Sequence, residues 1–177
     1  MKLYLVKPDT IYFDSYNDMM NEWRESGTQI APWFLDKPVA TLKEFAEFVA
    51  KLDACEHQAP GNFSTTTSYF VIDENNRLIG AASLRHYLTE AGLNTWGHIG
   101  YGVRPSERRK GYGTQILKLT MEEAKKKNIL NVLLAAWKTN VASCRTIEKC
   151  GFTFYREVPD PDYEDKIIRQ YTLSLIQ

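Results

Sequence analysis

The chain has little that would tie it to the outside of a cell. Its three cysteines, Cys55, Cys144 and Cys150, are odd in number and form no Cys-x-x-Cys pair. That pattern excludes a disulfide framework and suits reduced thiols. No apolar run approaches the ~20 residues of a membrane span, and the N-terminus lacks the apolar core of a signal peptide. A cytoplasmic protein without a membrane partner is expected. Net charge is missing too: 22 basic and 22 acidic side chains cancel over 177 residues, so bulk electrostatics gives no reason for a nucleic-acid partner. Metal ligands are sparse. Cys55-Glu56-His57 has no second ligand pair at zinc spacing, and no metal is expected. Internal repeats, linkers and low-complexity stretches are absent, and the length is that of one domain.

What the sequence does have is Arg108-Arg109-Lys110-Gly111-Tyr112-Gly113-Thr114, placed between the apolar run from His98 to Val103 and a helical run reaching Asn128. A strand-to-helix turn of this kind suits a phosphate. The first N–H groups of a helix and its macrodipole attract an anion; Gly111 and Gly113 let backbone approach it; Arg108, Arg109 and Lys110 add cationic donors. A Walker loop is excluded, because Gly113 is followed by Thr114 and Gln115 rather than by Lys and Ser or Thr. A dinucleotide fingerprint is excluded as well, since Gly111/Gly113 leads to Ile116 and Gly100/Gly102 leads to Pro105.

The remaining pattern, Arg108-x-x-Gly111-x-Gly113 after a strand ending at Val103, resembles the pyrophosphate motif of the GNAT superfamily of N-acyltransferases. A second segment, Asn140-Val-Ala-Ser143-x-x-x-Ile147-Glu-Lys-Cys-Gly151-Phe152, is similar to that superfamily's other cofactor segment. The resemblance implies acetyl-CoA as cosubstrate and an amine as acceptor. It places pyrophosphate on Arg108 to Thr114, pantetheine along Tyr101, Gly102 and Val103, and Asn140 with Ser143 near the sulfur.

The order of elements fits. Leu3 to Val6 reads as a strand. Asp14 is a plausible N-cap for a helix with Tyr16, Met19, Met20 and Trp23 on one face, ending at Gly27. Trp33 and Phe34 lie in an irregular stretch, either as a substrate wall or as a pin onto the core. Thr41 and Glu44 form a capping box for a helix with Phe45, Phe48, Val49 and Leu52 on one face. Ser68 to Asp73 and Arg77 to His86 make a hairpin around Glu74-Asn75-Asn76. A loop with Gly92 and Asn94 precedes a strand from Trp96 to Val103, whose glycines at 97, 100 and 102 suggest a bulge or another backbone lying close; the resemblance offers the pantetheine arm.

Ile116, Leu117, Met121 and Ala124 share a helix face, and Val132 to Ala136 is a strand buried on both sides, so a right-handed parallel βαβ unit is expected here. Asn140 caps the next helix and Gly151 ends it. Phe152 to Val158 and Ile167 to Leu175 read as antiparallel strands, the latter an edge strand able to pair across a homodimer. The expected fold class is α/β (α+β mixed), a splayed mixed sheet flanked by helices in the order βααβββαβαββ.

Acyl transfer to an amine needs a neutral amine. With a pKa of about 10.4, roughly one amine in two thousand is neutral at pH 7, a cost of about 4 to 5 kcal/mol, so a base is the main demand. The thiolate, with a thiol pKa near 8.5, is a fair leaving group. His98 is the first candidate base; Glu90 and the acidic loop Asp160, Asp162, Glu164 and Asp165 are others. For the acid, many superfamily members carry a Tyr where this chain has Ile147. Ser143 matches a serine in the branch resembling ribosomal-protein N-terminal acetyltransferases and is the alternative donor. A main-chain N–H of Gly102 or Val103 is placed to polarise the carbonyl, and an acyl-Cys144 route ranks below direct attack. The rival readings are a non-catalytic acyl-CoA sensor and a nucleic-acid adaptor on the same fold.

Overall fold

A computed structural model describes residues 1–176 of the chain. β1 (Tyr4–Val6) is followed by a 3-10 turn and α1 (Phe13–Glu25), a second 3-10 turn at Trp33–Leu35, and α2 (Leu42–His57). Then come β2 (Thr66–Ile72), β3 (Leu78–Arg85), α3 (Glu90–Asn94), β4 (Ile99–Val103) and α4 (Tyr112–Lys126). β5 (Asn131–Trp137), α5 (Val141–Lys149), β6 (Thr153–Pro159) and β7 (Ile167–Ser174) complete the chain. The expected order holds apart from α3, a single short helix where a plain loop was expected.

The strands do not form one sheet. β1-β2-β3-β4 make one antiparallel sheet and β5-β7-β6 a second. The parallel β4/β5 ladder expected from the sequence is therefore not formed; just before β4, Gly97 makes an isolated bridge with Leu134 of β5, and beyond it the strands part. β7 lies in the middle of its sheet, paired with β5 on one side and β6 on the other. The expectation of an edge strand at 167–175 is thus corrected, and β6 holds the edge instead.

Local chemistry explains the elements. Thr41 and Glu44 exchange hydrogen bonds as a capping box at α2, satisfying donors that a helix start leaves free. Asp9, not Asp14, caps the entry to α1, accepting from the Ile11 N–H at 3.0 Å at the start of the 3-10 turn. In the β2/β3 turn, Asp73 accepts from the N–H groups of Asn75 and Arg77, and Asn76 takes φ +61°. That left-handed position is one Asn tolerates better than most residues.

α1 and α2 cover one face of the first sheet, burying Tyr16, Met19, Met20, Trp23 and Phe45 against Phe70, Leu78 and Ala81. Each such side chain contributes about 1.5 to 3 kcal/mol. Phe34 belongs to this core and is the pin, whereas Trp33 beside it is 59% exposed and is not. α4 covers the opposite face through Ile116, and with α5 it packs Leu117, Met121, Ala124 and Ile147 onto Val132, Leu134, Ala136 and Tyr171. Arg104, buried just after β4, ties the layers together by bonding Asp18 and Glu22 of α1, each at 2.5 Å.

Candidate active site

The site is the cleft that opens where β4 and β5 diverge, and its closed end is tightly bonded. Gly97 has φ +68°, and a Cβ there would lie 2.2 Å from the Leu133 carbonyl oxygen. The His98 N–H donates to that oxygen at 2.7 Å, and the Leu133 N–H donates to His98 Nδ1 at 3.0 Å. Arg85 Nη1 donates to the Gly97 carbonyl at 2.9 Å. Burial, with Arg85 nearby, holds the His98 imidazole below its ordinary pKa. A neutral ring that accepts at Nδ1 carries its proton on Nε2. His98 therefore has no free lone pair for an incoming amine, and the geometry runs against the base role expected of it. It pins two strands together instead.

The glycines in and before β4 do have another backbone lying close, as expected. A Cβ on Gly102 would lie 1.9 Å from the Ala31 carbonyl oxygen, and one on Gly100 would lie 2.8 Å from Ser83 Oγ and 3.2 Å from Pro32. The backbone lying close on this face is the protein's own, from the segment after α1. The Arg104 N–H bonds the Ile79 carbonyl on β3, so by antiparallel alternation Gly102 also points its main chain at β3, while Tyr101 and Val103 point theirs at the cleft. The Val103 carbonyl accepts from Arg108 Nε at 3.1 Å, which leaves the Val103 N–H facing the opening.

Beyond β4 the chain turns sharply into α4. Arg109 has φ +62° and Gly111 φ +82°, and Gly111 sits at the N-cap without a side-chain cap. The N–H groups of Tyr112, Gly113 and Thr114 have no acceptor among the described residues. Left-handed turns followed by free helix N–H groups form an anion-binding concavity, so the residues present fit a pyrophosphate. The three cations of the turn behave differently. Arg108 faces inward, donating to Val103 and to Thr28 Oγ1 at 3.0 Å and lying over the Trp23 ring. Lys110 pairs with Glu107 at 2.9 Å, and Glu107 also holds Arg77. Arg109 is exposed and makes no ion pair among the described residues.

On the far side of the cleft, Asn140 Oδ1 accepts from the Ser143 N–H at 3.1 Å and caps α5. Ser143 Oγ lies 3.1 Å from the Tyr101 hydroxyl, which reaches it from β4. Burial pushes the Tyr101 phenol up to about 12, so it stays protonated, and either hydroxyl of the pair can donate to the other. Ile147, where relatives carry tyrosine, is fully buried in the α4/α5 core. A phenol thus reaches this helix from the neighbouring strand. Cys144 is 4% exposed, with its thiol directed at the Trp137 carbonyl, a poor posture for a nucleophile.

A family model described as the acetyltransferase (GNAT) family matches residues 16–152, more than half of the chain. The chain belongs to the GNAT acetyltransferase family. No curated protein matches the sequence. The fold superposes on the microcin C7 self-immunity acetyltransferase MccE, solved with acetyl-CoA and AMP, with a TM-score of 0.71. Identity is 16%, over 98% of this chain and 92% of that one. A Salmonella typhimurium acetyltransferase that modifies the N-terminal serine of ribosomal protein L7/L12 gives 0.71 at 16% identity, covering 99% and 96%. The acetyltransferase yncA from Salmonella typhimurium, solved with acetyl-CoA, gives 0.65 at 18%, covering 99% and 95%. At these identities the likeness is one of fold.

Other GNAT features of this chain escaped the sequence. The Tyr101 side chain was readable in principle, since strand alternation sets it on the face opposite Gly100 and Gly102. Asp160, a candidate base from the sequence, is 5% exposed and accepts from the Trp137 indole at 2.6 Å. Glu90 stands exposed at the start of α3. Asp53, Glu56 and His57 bring ligand atoms within 4.8 Å of one another on α2, but Glu56 is already paired with Lys7 and Lys127. Among the described residues no helix is long and apolar enough to cross a membrane.

Proposed function

We propose that this GNAT protein acetylates a primary amine by direct attack within a ternary complex, using Ser143 with Tyr101 as its proton-delivering pair. The observation that carries the reading is the open end of the cleft. There the free N–H groups at the start of α4, the free main-chain edge of Tyr101 and Val103, and the Ser143 hydroxyl border one opening. Tyr112, Gly113 and Thr114 hold pyrophosphate with their N–H groups, with Arg109 and Lys110 at its rim and Arg108 bracing the turn from behind. Tyr101 and Val103 bond the pantetheine amides, and Asn140 sets the first turn of α5 beside the sulfur.

Acetyl-CoA supplies an activated thioester. The Val103 N–H is preorganised to receive charge on its carbonyl oxygen. One N–C bond forms for one C–S bond broken. The ammonium form of the acceptor loses two protons, one to solvent and one that ends on the thiol. Ser143 donates a proton to the departing sulfur and is refilled by Tyr101, which takes up the second proton lost by the amine, so the pair ends as it began.

The test is thiol release from acetyl-CoA against a panel of amines and short peptides, with Gly111→Glu alongside. A side chain at φ +82° costs about 1 kcal/mol of stability, while the carboxylate repels the pyrophosphate. Turnover on one acceptor class, lost in a folded Gly111→Glu, supports the proposal. Saturable CoA binding without turnover on any acceptor would instead favour an acyl-CoA sensor.

A further inference from the structure

At the C-terminal end of β5 two aromatic rings flank one ammonium. Lys166 Nζ lies 3.6 Å from the centroid of the Trp137 ring and 4.0 Å from that of Tyr163. The two rings meet edge to face at 5.6 Å and 85°, and Trp96 backs the indole at 5.7 Å. Lys166 makes no ion pair among the described residues, so the ring faces are its principal electrostatic partners. The arrangement is held from outside. Asp160 takes the Trp137 indole N–H with one oxygen and the Asp162 N–H with the other, and its own N–H donates to the Lys166 carbonyl at 2.9 Å.

This cage stands at the same strand end as the proton-delivering pair. The Trp137 carbonyl accepts from the Asn140 N–H at 2.8 Å and from the Cys144 thiol at 3.6 Å, and Ser143 lies between those two residues in sequence. Val132, Leu134 and Ala136 face the α4/α5 core, so alternation sends the Trp137 ring to the other face of the sheet.

The geometry points to a subsite in which Trp137 and Tyr163 hold a second ammonium of the acceptor, making the substrate a compound with at least two amino groups. This rests on the amine-acceptor reading above. Ring faces favour the charged form of an amine, whereas attack on a thioester needs the neutral form. The ammonium between the rings is therefore not the nitrogen that is acetylated, and a second amine must do the chemistry. Lys166 is the cation the rings hold without an acceptor. Its flexible, half-exposed side chain swings out without breaking an ion pair.

The experiment compares an n-alkylamine with the α,ω-diamine of the same chain length as acceptors for the full chain. The diamine is expected to have a KM lower by roughly two- to thirtyfold, the range a cation over aromatic faces supplies. Tyr163 is 48% exposed, so Tyr163→Leu keeps the fold and should collapse the diamine preference, while Lys166→Met, which removes the competing ammonium, should widen it. An unchanged preference in Tyr163→Leu overturns the subsite. If neither amine is acetylated although CoA binds, the amine-acceptor reading has failed. The cage is then read by titrating tetramethylammonium into CoA-bound Lys166→Met and following tryptophan fluorescence. Saturable binding lost on adding Tyr163→Leu upholds the subsite, and no binding overturns it.

Discussion

The two ends of the β4/β5 divergence are built to opposite rules. At the closed end every main-chain donor and acceptor of Gly97, His98 and Leu133 has a partner, as does His98 Nδ1, and backbone packs so closely that no side chain fits at Gly97. At the open end, about five residues further along β4, main-chain N–H groups of Tyr112, Gly113 and Thr114 have no acceptor among the described residues. The contrast separates main chain that holds the strands from main chain left open to solvent or a ligand. The lesson extends to His98. An ionisable ring in a cleft looks catalytic, but a committed lone pair makes it structural.

The contrast can be broken from its closed end. Gly97→Ala would set a Cβ against the Leu133 carbonyl at a left-handed position. A loss on the order of 3 kcal/mol or more is expected, read as a fall in Tm of roughly 6 to 12 °C for a chain of this size. An unshifted Tm would show that the bridge does not hold the strands. At the open end the sign of the experiment reverses: Ser143→Ala should lower kcat roughly ten- to a hundredfold while leaving thermal stability nearly unchanged. Tyr101→Phe should cost several-fold, and the double variant should be no slower than Ser143→Ala. Multiplying effects would mean that the phenol and the hydroxyl act separately.

The smallest effect concerns acid. Glu107 lies buried between Lys110 and Arg77, which hold its carboxyl below the usual carboxylate range. A depressed folded pKa contributes stability above the unfolded value of about 4.3, and that contribution is lost as pH falls through the folded value. Glu107→Gln should therefore flatten the acid limb of a stability profile measured between pH 6 and 3, both on the order of the range where carboxylates titrate. A limb as steep as in the unaltered chain would place the sensitivity elsewhere.

Much of this was legible in the sequence because it depends on near neighbours. The Thr41/Glu44 box, the Asn76 turn, the left-handed Gly111 and the Asn140 cap are set by residues within a few positions of each other. The division into two sheets was not legible, since it depends on which distant strand β5 chooses. β7 is central because it finds both β5 and β6, and nothing in its own apolar pattern says so. The partner of Ser143 lies 42 residues away on Tyr101. Asp9 outbid Asp14 as the cap because a 3-10 turn precedes the helix, a one-turn shift that apolar periodicity does not register.

The glycines along the cleft also carry a consequence for variation. Gly80, Gly97 and Gly102 each face a backbone carbonyl that an added Cβ would approach to about 2 Å. Random mutagenesis of β3, β4 and the residues just before β4 should therefore return these three codons unchanged, however weak the selection for any one acceptor. Diversity would accumulate at exposed Trp33 and between Asp160 and Lys166, on surfaces that no strand has to pass. A lineage derived from this sequence could exchange one acceptor for another many times over while inheriting the same donor pocket.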